Sequence, residues 1–152
     1  MNESPDPGAA DSEPNLGVLM FIPYRHMEER VLEAVSAAGH HITLAQARVF
    51  QRIDQHGSRL SRIAESAQMS KQAAKFLVDQ LERSAYVERV PDPSDGRARL
   101  VCITPRGHDV IRVASVEQHR IEAEWAAHLG GPATDELRRA LLQLREITDP
   151  YR

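Results

Sequence analysis

From Ser61 to Val87 the chain reads SRIAESAQMSKQAAKFLVDQLERSAYV, and this stretch restricts the fold more than any other. Ile63, Ala64 and Ala67 make a short apolar stripe, Gln68-Met69 reads as a tight turn, and Ser70 begins a new stripe as an N-cap. From Lys71 to about Ser84, Ala74, Leu77, Val78 and Leu81 share one face at helical spacing. Gln72, Lys75, Phe76, Asp79 and Arg83 point away from it, with Lys71 on the flank of the first turn. A short helix, a turn and a second capped helix make a helix-turn-helix. An ordinary two-helix corner with a solvated outer face has the same pattern, so the motif alone leaves both readings open.

The next segment favours the first reading. Two apolar runs, Tyr86 to Val90 and Leu100 to Ile103, flank DPSDGRAR, whose Asp-Pro and Asp-Gly pairs are breaker signals, so a hairpin is expected with Asp92-Pro93 and Gly96 making its turn. In the strand leaving that turn Arg97 and Arg99 share a face and Ala98 takes the other. Arginine's flat, weakly hydrated cation suits a narrow minor groove, and Asp95 is spaced to pair with Arg97. The same arginines would also serve merely to keep a sheet edge soluble. A helix-turn-helix followed directly by a basic hairpin is a winged helix, whose second helix fits the major groove. Lys71 and Lys75 would then meet phosphates or guanines, Gln72 an adenine and Phe76 a thymine methyl.

The net charge of -3 over 152 residues hides this basic element. Met1 to Asn15 holds Glu3, Asp6, Asp11 and Glu13 without Lys or Arg, which leaves 18 acidic against 19 basic residues in the remainder. That tail, rich in Pro, Asp, Glu, Ser and Gly, is expected to be disordered. No apolar run approaches the roughly 18 residues of a bilayer span and the N-terminus lacks a signal-peptide pattern, so a cytoplasmic location is expected. The single Cys102 allows no intramolecular disulfide and is expected to be a small buried hydrophobe. His119 with Glu122, and His40 with His41, lack further ligands at metal spacing, and no nucleophile has an evident base. Neither a metal, a cofactor nor an enzymatic role is expected.

Helical stripes dominate both ends. Leu16, Leu19, Met20, Met27, Val31 and Val35 form the first, with Gly39 as its stop and Pro23 as a kink or late start. Thr43 and Gln46 form a capping box for a second helix closed by Gly57, and a short linker, Ser58 to Leu60, leads to a helix from Ser61. Thr104 caps a long helix with Pro105 at its first position, through Val110, Ile111, Ala114, Ile121, Trp125 and Leu129 to Gly130-Gly131. A last stripe comprises Leu137, Leu141, Leu144 and Ile147. These stripes exceed what one small core covers, which points to a second copy of the chain.

The stretches ITLAQARVF, the run from LSRIAES through Asp95-Gly96-Arg97 to VCIT, and TPRGHDV resemble the MarR family of winged-helix transcription regulators. The resemblance spans Leu16 to Ile147 and implies a mainly α fold with a small β-hairpin wing. It implies a homodimer built from the N- and C-terminal helices, residues 16–42 and 105–148, in a single domain 16–152 after an acidic tail 1–15. Residues 43–104 would be the lobe that binds double-stranded DNA, with Lys71 to Arg83 as recognition helix. By position Ser70, Lys71, Gln72, Lys75, Phe76, Asp95, Arg97 and Arg99 face DNA. The function implied is that of a ligand-responsive repressor on a pseudo-palindromic operator, its half-sites about 10 bp apart. A small aromatic or phenolic effector would bind between the dimer helices and the lobe, nearest Tyr24, Arg25, His26 and Met27, whose other reading is interface packing and surface charge. Two departures stand out: Ala85 where the family often has Gly, and Phe76 where it often has Arg. The rival reading is a helical protein-interaction module without DNA specificity.

Overall fold

The computed structural model describes residues 13–150. Of the acidic tail, residues 1–12 lie outside that range, and Asn15 already belongs to the fold as a helix cap. The elements are α1 (Leu16–Ala37), α2 (Leu44–Phe50), α3 (Leu60–Ser66), α4 (Lys71–Arg83), β1 (Val87–Asp92), β2 (Asp95–Ile103), α5 (Pro105–Leu129) and α6 (Gly131–Thr148). The two strands pair antiparallel, Val87 opposite Ile103 and Pro91 opposite Arg99. This is a mainly α chain with a winged helix-turn-helix at its centre.

Four of the six helices, α1, α2, α4 and α5, start where a side chain takes up an orphan amide. Asn15 Oδ1 accepts from the Val18 amide at 3.1 Å, Ser70 Oγ from that of Ala73 at 3.1 Å, and Thr104 Oγ1 from that of Gly107 at 3.1 Å. Thr43 and Gln46 complete their capping box in both directions, at 3.2 and 2.9 Å. Pro23 neither delays nor ends α1, which begins at Leu16; the carbonyl deprived of a partner belongs to the exposed Leu19, where water can reach it.

The second helix is shorter than its pattern. It ends at Phe50 rather than at Gly57, because the amides of Arg52 and Ile53 bond back three residues to Val49 and Phe50 and turn Ile53 into the core. Gly57 serves a different purpose. Its φ is +89°, and a Cβ there would lie 2.6 Å from Cys102 Sγ, so only glycine lets the chain come close enough for Ser58 to bridge Val101 through two backbone bonds of 3.0 and 2.9 Å. Cys102 itself is half-buried. The expected linker at Ser58 is therefore a third, one-residue edge of the wing sheet.

Ala74, Val78 and Leu81 of α4 are buried and Leu77 half-buried, as their spacing requires. They join Val49, Phe50 and Ile63, the inner wing residues Val87 and Val101, Val35 near the end of α1 and Val110 near the start of α5. Farther along the two long helices, Arg30 of α1 bonds Glu117 at 2.6 Å and Glu124 of α5, and Glu117 is buried. The N-terminal half of α1 remains exposed, and α6 buries no residue.

Three helices end on the same device, in which the second residue past the cap donates to the carbonyl five residues back. His40 bonds Val35, Met69 bonds Ala64 and Tyr86 bonds Leu81, at 3.1, 3.0 and 2.9 Å. The residue between must have positive φ. Gly39 meets that without strain, but Gln68 and Ala85 adopt φ of 53° and 60°. A side chain in that region costs about 1–2 kcal/mol, against about 0.5–1 kcal/mol for glycine's extra chain entropy. Ala85→Gly is therefore expected to stabilise the protein by about 0.5–1 kcal/mol, read from the urea midpoint. Gly107→Ala is expected to destabilise it by about 1–3 kcal/mol by the same measurement, because its Cβ would sit 2.3 Å from the Tyr86 carbonyl oxygen.

Candidate nucleic-acid interface

Buried Ala74, Val78 and Leu81 fix how α4 is rotated, and hence what it presents outward. Ser70, Lys71, Gln72, Lys75 and Phe76 are all exposed, Phe76 at 59%. Lys75 Nζ does not stand free: it donates to Asp79 Oδ2 at 2.7 Å. Asp79 Oδ1 accepts from Arg89 Nη2 at 2.7 Å, and the same guanidinium also meets Glu82, whose Oε1 takes the Arg89 amide at 3.2 Å. The Lys75 bond, then that of Arg89, holds the Asp79 carboxyl below its ordinary range. Arg89 belongs to β1, so this chain of charges fastens the wing to α4.

The wing turn lies at Pro93 and Ser94. Gly96 is not part of it: it sits in β2 without positive φ, and a Cβ there would meet nothing within 4 Å. Asp92 makes the turn instead, accepting from the Ser94 hydroxyl at 2.7 Å and amide at 2.8 Å. Its other oxygen receives Arg59 Nε at 2.8 Å and Nη2 at 2.6 Å, and the residue is only 7% exposed. The Ser94 hydroxyl, the Ser94 amide and Arg59, in that order, hold the Asp92 carboxyl at about 2. Arg59 occupies the N-cap position of α3 but makes no cap bond. It ties the helix-turn-helix to the wing turn.

Asp95 does not pair with the guanidinium of Arg97. It accepts the Arg97 backbone amide at 3.1 Å and lies 3.6 Å from Arg59 Nη2, so it shapes the strand rather than the fork. The two wing arginines differ in their partners. Arg99 Nη2 donates to the Arg89 carbonyl at 2.6 Å, whereas the exposed Arg97 guanidinium has no hydrogen bond or ion pair among the described residues. Sequence reasoning missed Arg59, Asp92 and Arg89 as the wing's anchors. An arginine at a position that usually carries a small cap was the one legible hint.

Of the four residues proposed near an effector, the structure brings Tyr24 and Met27 to cavities. Tyr24 lines a space of about 390 Å³ between α1, α2 and α5, with Val35, Phe50, Gln51, Val110 and Gln118. The Tyr24 hydroxyl donates to Glu28 at 2.9 Å, and burial first, then Glu28, raises its pKa. Tyr24 and Met27 also border an apolar groove of about 800 Å³ with Phe21, Trp125, Leu129 and Leu141. Arg25 lies beside Glu29 at 3.7 Å and over the Phe21 ring, and neither it nor His26 lines either space. Among the described residues no three His, Cys, Asp or Glu side chains group as metal ligands.

Comparisons with known proteins agree with this architecture. Residues 30–98 match the model of the MarR family. The transcriptional activatory protein BadR of Rhodopseudomonas palustris is 31% identical over 94 residues, 62% of this chain and 53% of that protein, so the chain spans about half the length of that relative. The reduced form of MarR from E. coli superposes with a TM-score of 0.71 at 21% identity, covering 88% of this chain and 98% of that one. MepR of S. aureus, solved bound to an oligodeoxyribonucleotide, superposes with a TM-score of 0.59 at 18% identity, covering 88% and 98%.

The anchored carboxylate gives a pH signature. Because the folded pKa of Asp92 is depressed, its stabilisation is full above the ordinary carboxylate range and is lost as pH falls toward about 2. Asp92→Asn should lower the urea midpoint at neutral pH, and its deficit relative to wild type should shrink steadily through that acid window. A deficit that stays constant with pH would remove the charge from the explanation.

Proposed function

We propose, for a chain whose residues 30–98 match the model of the MarR family, that it acts as a homodimeric, cytoplasmic regulator that recognises a pseudo-palindromic operator in double-stranded DNA. The observation that carries this is an outward α4 face of Lys71, Gln72 and Phe76 beside a wing that is pinned at its turn and offers an unpaired Arg97. An element that only kept a sheet edge soluble would have no need of two anchors. In this reading Ser70, Lys71, Gln72 and Phe76 face the major groove, Arg97 enters the minor groove, Lys75 and Arg99 lend charge nearby, and Asp95 shapes the strand.

The ends of the chain supply the dimer. Leu16, Leu19, Phe21, Leu137, Leu141 and Ile147 are exposed large apolar side chains on α1 and α6, more than an isolated monomer carries without cost. Residues 16–42 and 105–148 would pair with their copies and leave the lobe 43–104 to reach DNA. Repression follows if the operator overlaps the promoter, and activation if it lies upstream; BadR is named an activatory protein. No helix among the described residues is long and apolar enough to cross a membrane.

The effector reading rests on the space beside Tyr24. Its wall is apolar apart from Tyr24, Gln51, Ser115 and Gln118, and carries no charged side chain. An ionised carboxylate would lose its hydration there without a cation to replace it. A neutral phenol fits better than an aromatic acid.

Selection from random duplex DNA should enrich a pseudo-palindrome with half-sites about 10 bp apart, bound with an affinity that falls steeply with salt. Salt-independent association with protein targets alone would favour the interaction-module reading. Arg97→Ala should weaken operator binding by roughly tenfold, about 1.4 kcal/mol, with the larger loss on A/T-rich flanks. An equal loss on every sequence would make it a phosphate contact. Phenol should raise the thermal midpoint and shift the DNA-binding midpoint at concentrations where benzoate does neither.

A further inference from the structure

Phe76 is the odd surface residue of the lobe. Every other large apolar side chain that is exposed among the described residues lies on α1, α5 or α6, where a second copy of the chain accounts for it. Phe76 instead stands at 59% exposure on the outer face of α4, one helical turn after Gln72. Its neighbours one turn further on are Asp79, already shared by Lys75 and Arg89, and Gln80, which accepts from Gln46 at 2.9 Å. The middle of the reading face is therefore an apolar ring flanked by a neutralised ion pair, while the helix's other cations, Lys71 and Arg83, stand toward its two ends.

Taking the DNA-binding reading above as its basis, we infer that Phe76 is a specificity-determining residue that selects a 5-methylpyrimidine in each operator half-site. Thymine is the base whose major-groove edge carries a methyl group, and 5-methylcytosine places a methyl at the same ring position. A phenyl ring gains from covering that carbon and gains nothing from a bare C5 hydrogen. Lys75, held by Asp79, is not a base reader in this scheme. One turn of helix rises 5.4 Å and one base step about 3.4 Å. The methyl therefore lies about one or two base pairs from the adenine that Gln72 would read.

The test uses the full-length protein and the operator obtained by selection. Each thymine of a half-site is replaced in turn by deoxyuridine, which removes only the methyl. One position per half-site should cost about fourfold in affinity, the equivalent of one buried carbon. Phe76→Leu, which keeps an apolar side chain, should retain part of that sensitivity, and Phe76→Ala should lose it while remaining folded, since the side chain is exposed. With a C·G pair at that position, methylating the cytosine should restore about the same factor for wild type alone. Wild-type affinity indifferent to every deoxyuridine, or a sensitivity shared equally by wild type and Phe76→Ala, would overturn the inference while leaving DNA binding intact. Failure to select any sequence would be visible before a single base is modified, and would count against the DNA-binding reading instead.

Discussion

The side chain of Tyr86 is the point on which the parts of this molecule converge. It is 1% exposed and follows the strained exit of α4, where its amide closes the helix on Leu81. Its hydroxyl accepts the His41 amide at 3.1 Å, its ring meets the His40 ring edge-on at 5.7 Å between centroids, and the Arg106 guanidinium lies over its face at 4.9 Å. Its carbonyl accepts from Thr104, whose hydroxyl in turn reaches the Ala85 carbonyl at 2.6 Å. One residue thus fixes the end of α1, the exit of α4, the first wing strand and the start of α5 in one packed unit. The closeness of Gly107 to the same carbonyl shows how little slack that arrangement has.

From that hub outward, orientation is set by charges rather than by more core. Arg89 holds β1 against α4, and Arg59 holds the wing turn against α3. Exposed ion pairs contribute little to stability. Here the guanidinium of Arg89 is largely covered and the Asp92 carboxylate is buried, so each pair is placed to fix geometry. The cation left over at the tip, Arg97, is the one the wing can offer to another molecule.

Much of this was legible because the signals were local. Ser70 and the spacing of Ala74, Val78 and Leu81 gave α4 its start and its buried face, and Thr43 with Gln46 and Thr104 with Pro105 marked two further helix starts. The surplus apolar stripes at both ends were likewise readable, since no partner for them exists within the chain pattern. What failed was local chemistry with two meanings. Gly57 reads as a helix stop, but it is a close-approach residue against a cysteine 45 positions later, and Gly96 reads as a turn residue in a strand that any side chain would tolerate. Arg59 and Asp92 are 33 residues apart, beyond the reach of any periodicity. Lys75 and Asp79 have the spacing of a helical pair, so the carboxylate within reach of the lysine was readable beside its expected DNA contact.

The double anchoring of the wing has a mechanical consequence. A hairpin pinned to both helices of the helix-turn-helix is held at two points, so helix and wing are tied together as one tooth. In a dimer two such teeth make a gauge, and duplex DNA presents matching grooves only once per turn, about 34 Å apart. On the proposed reading, a small change in the span between the teeth, made far away among the terminal helices, would put both out of phase with the duplex at once. Information would pass through this molecule as a length.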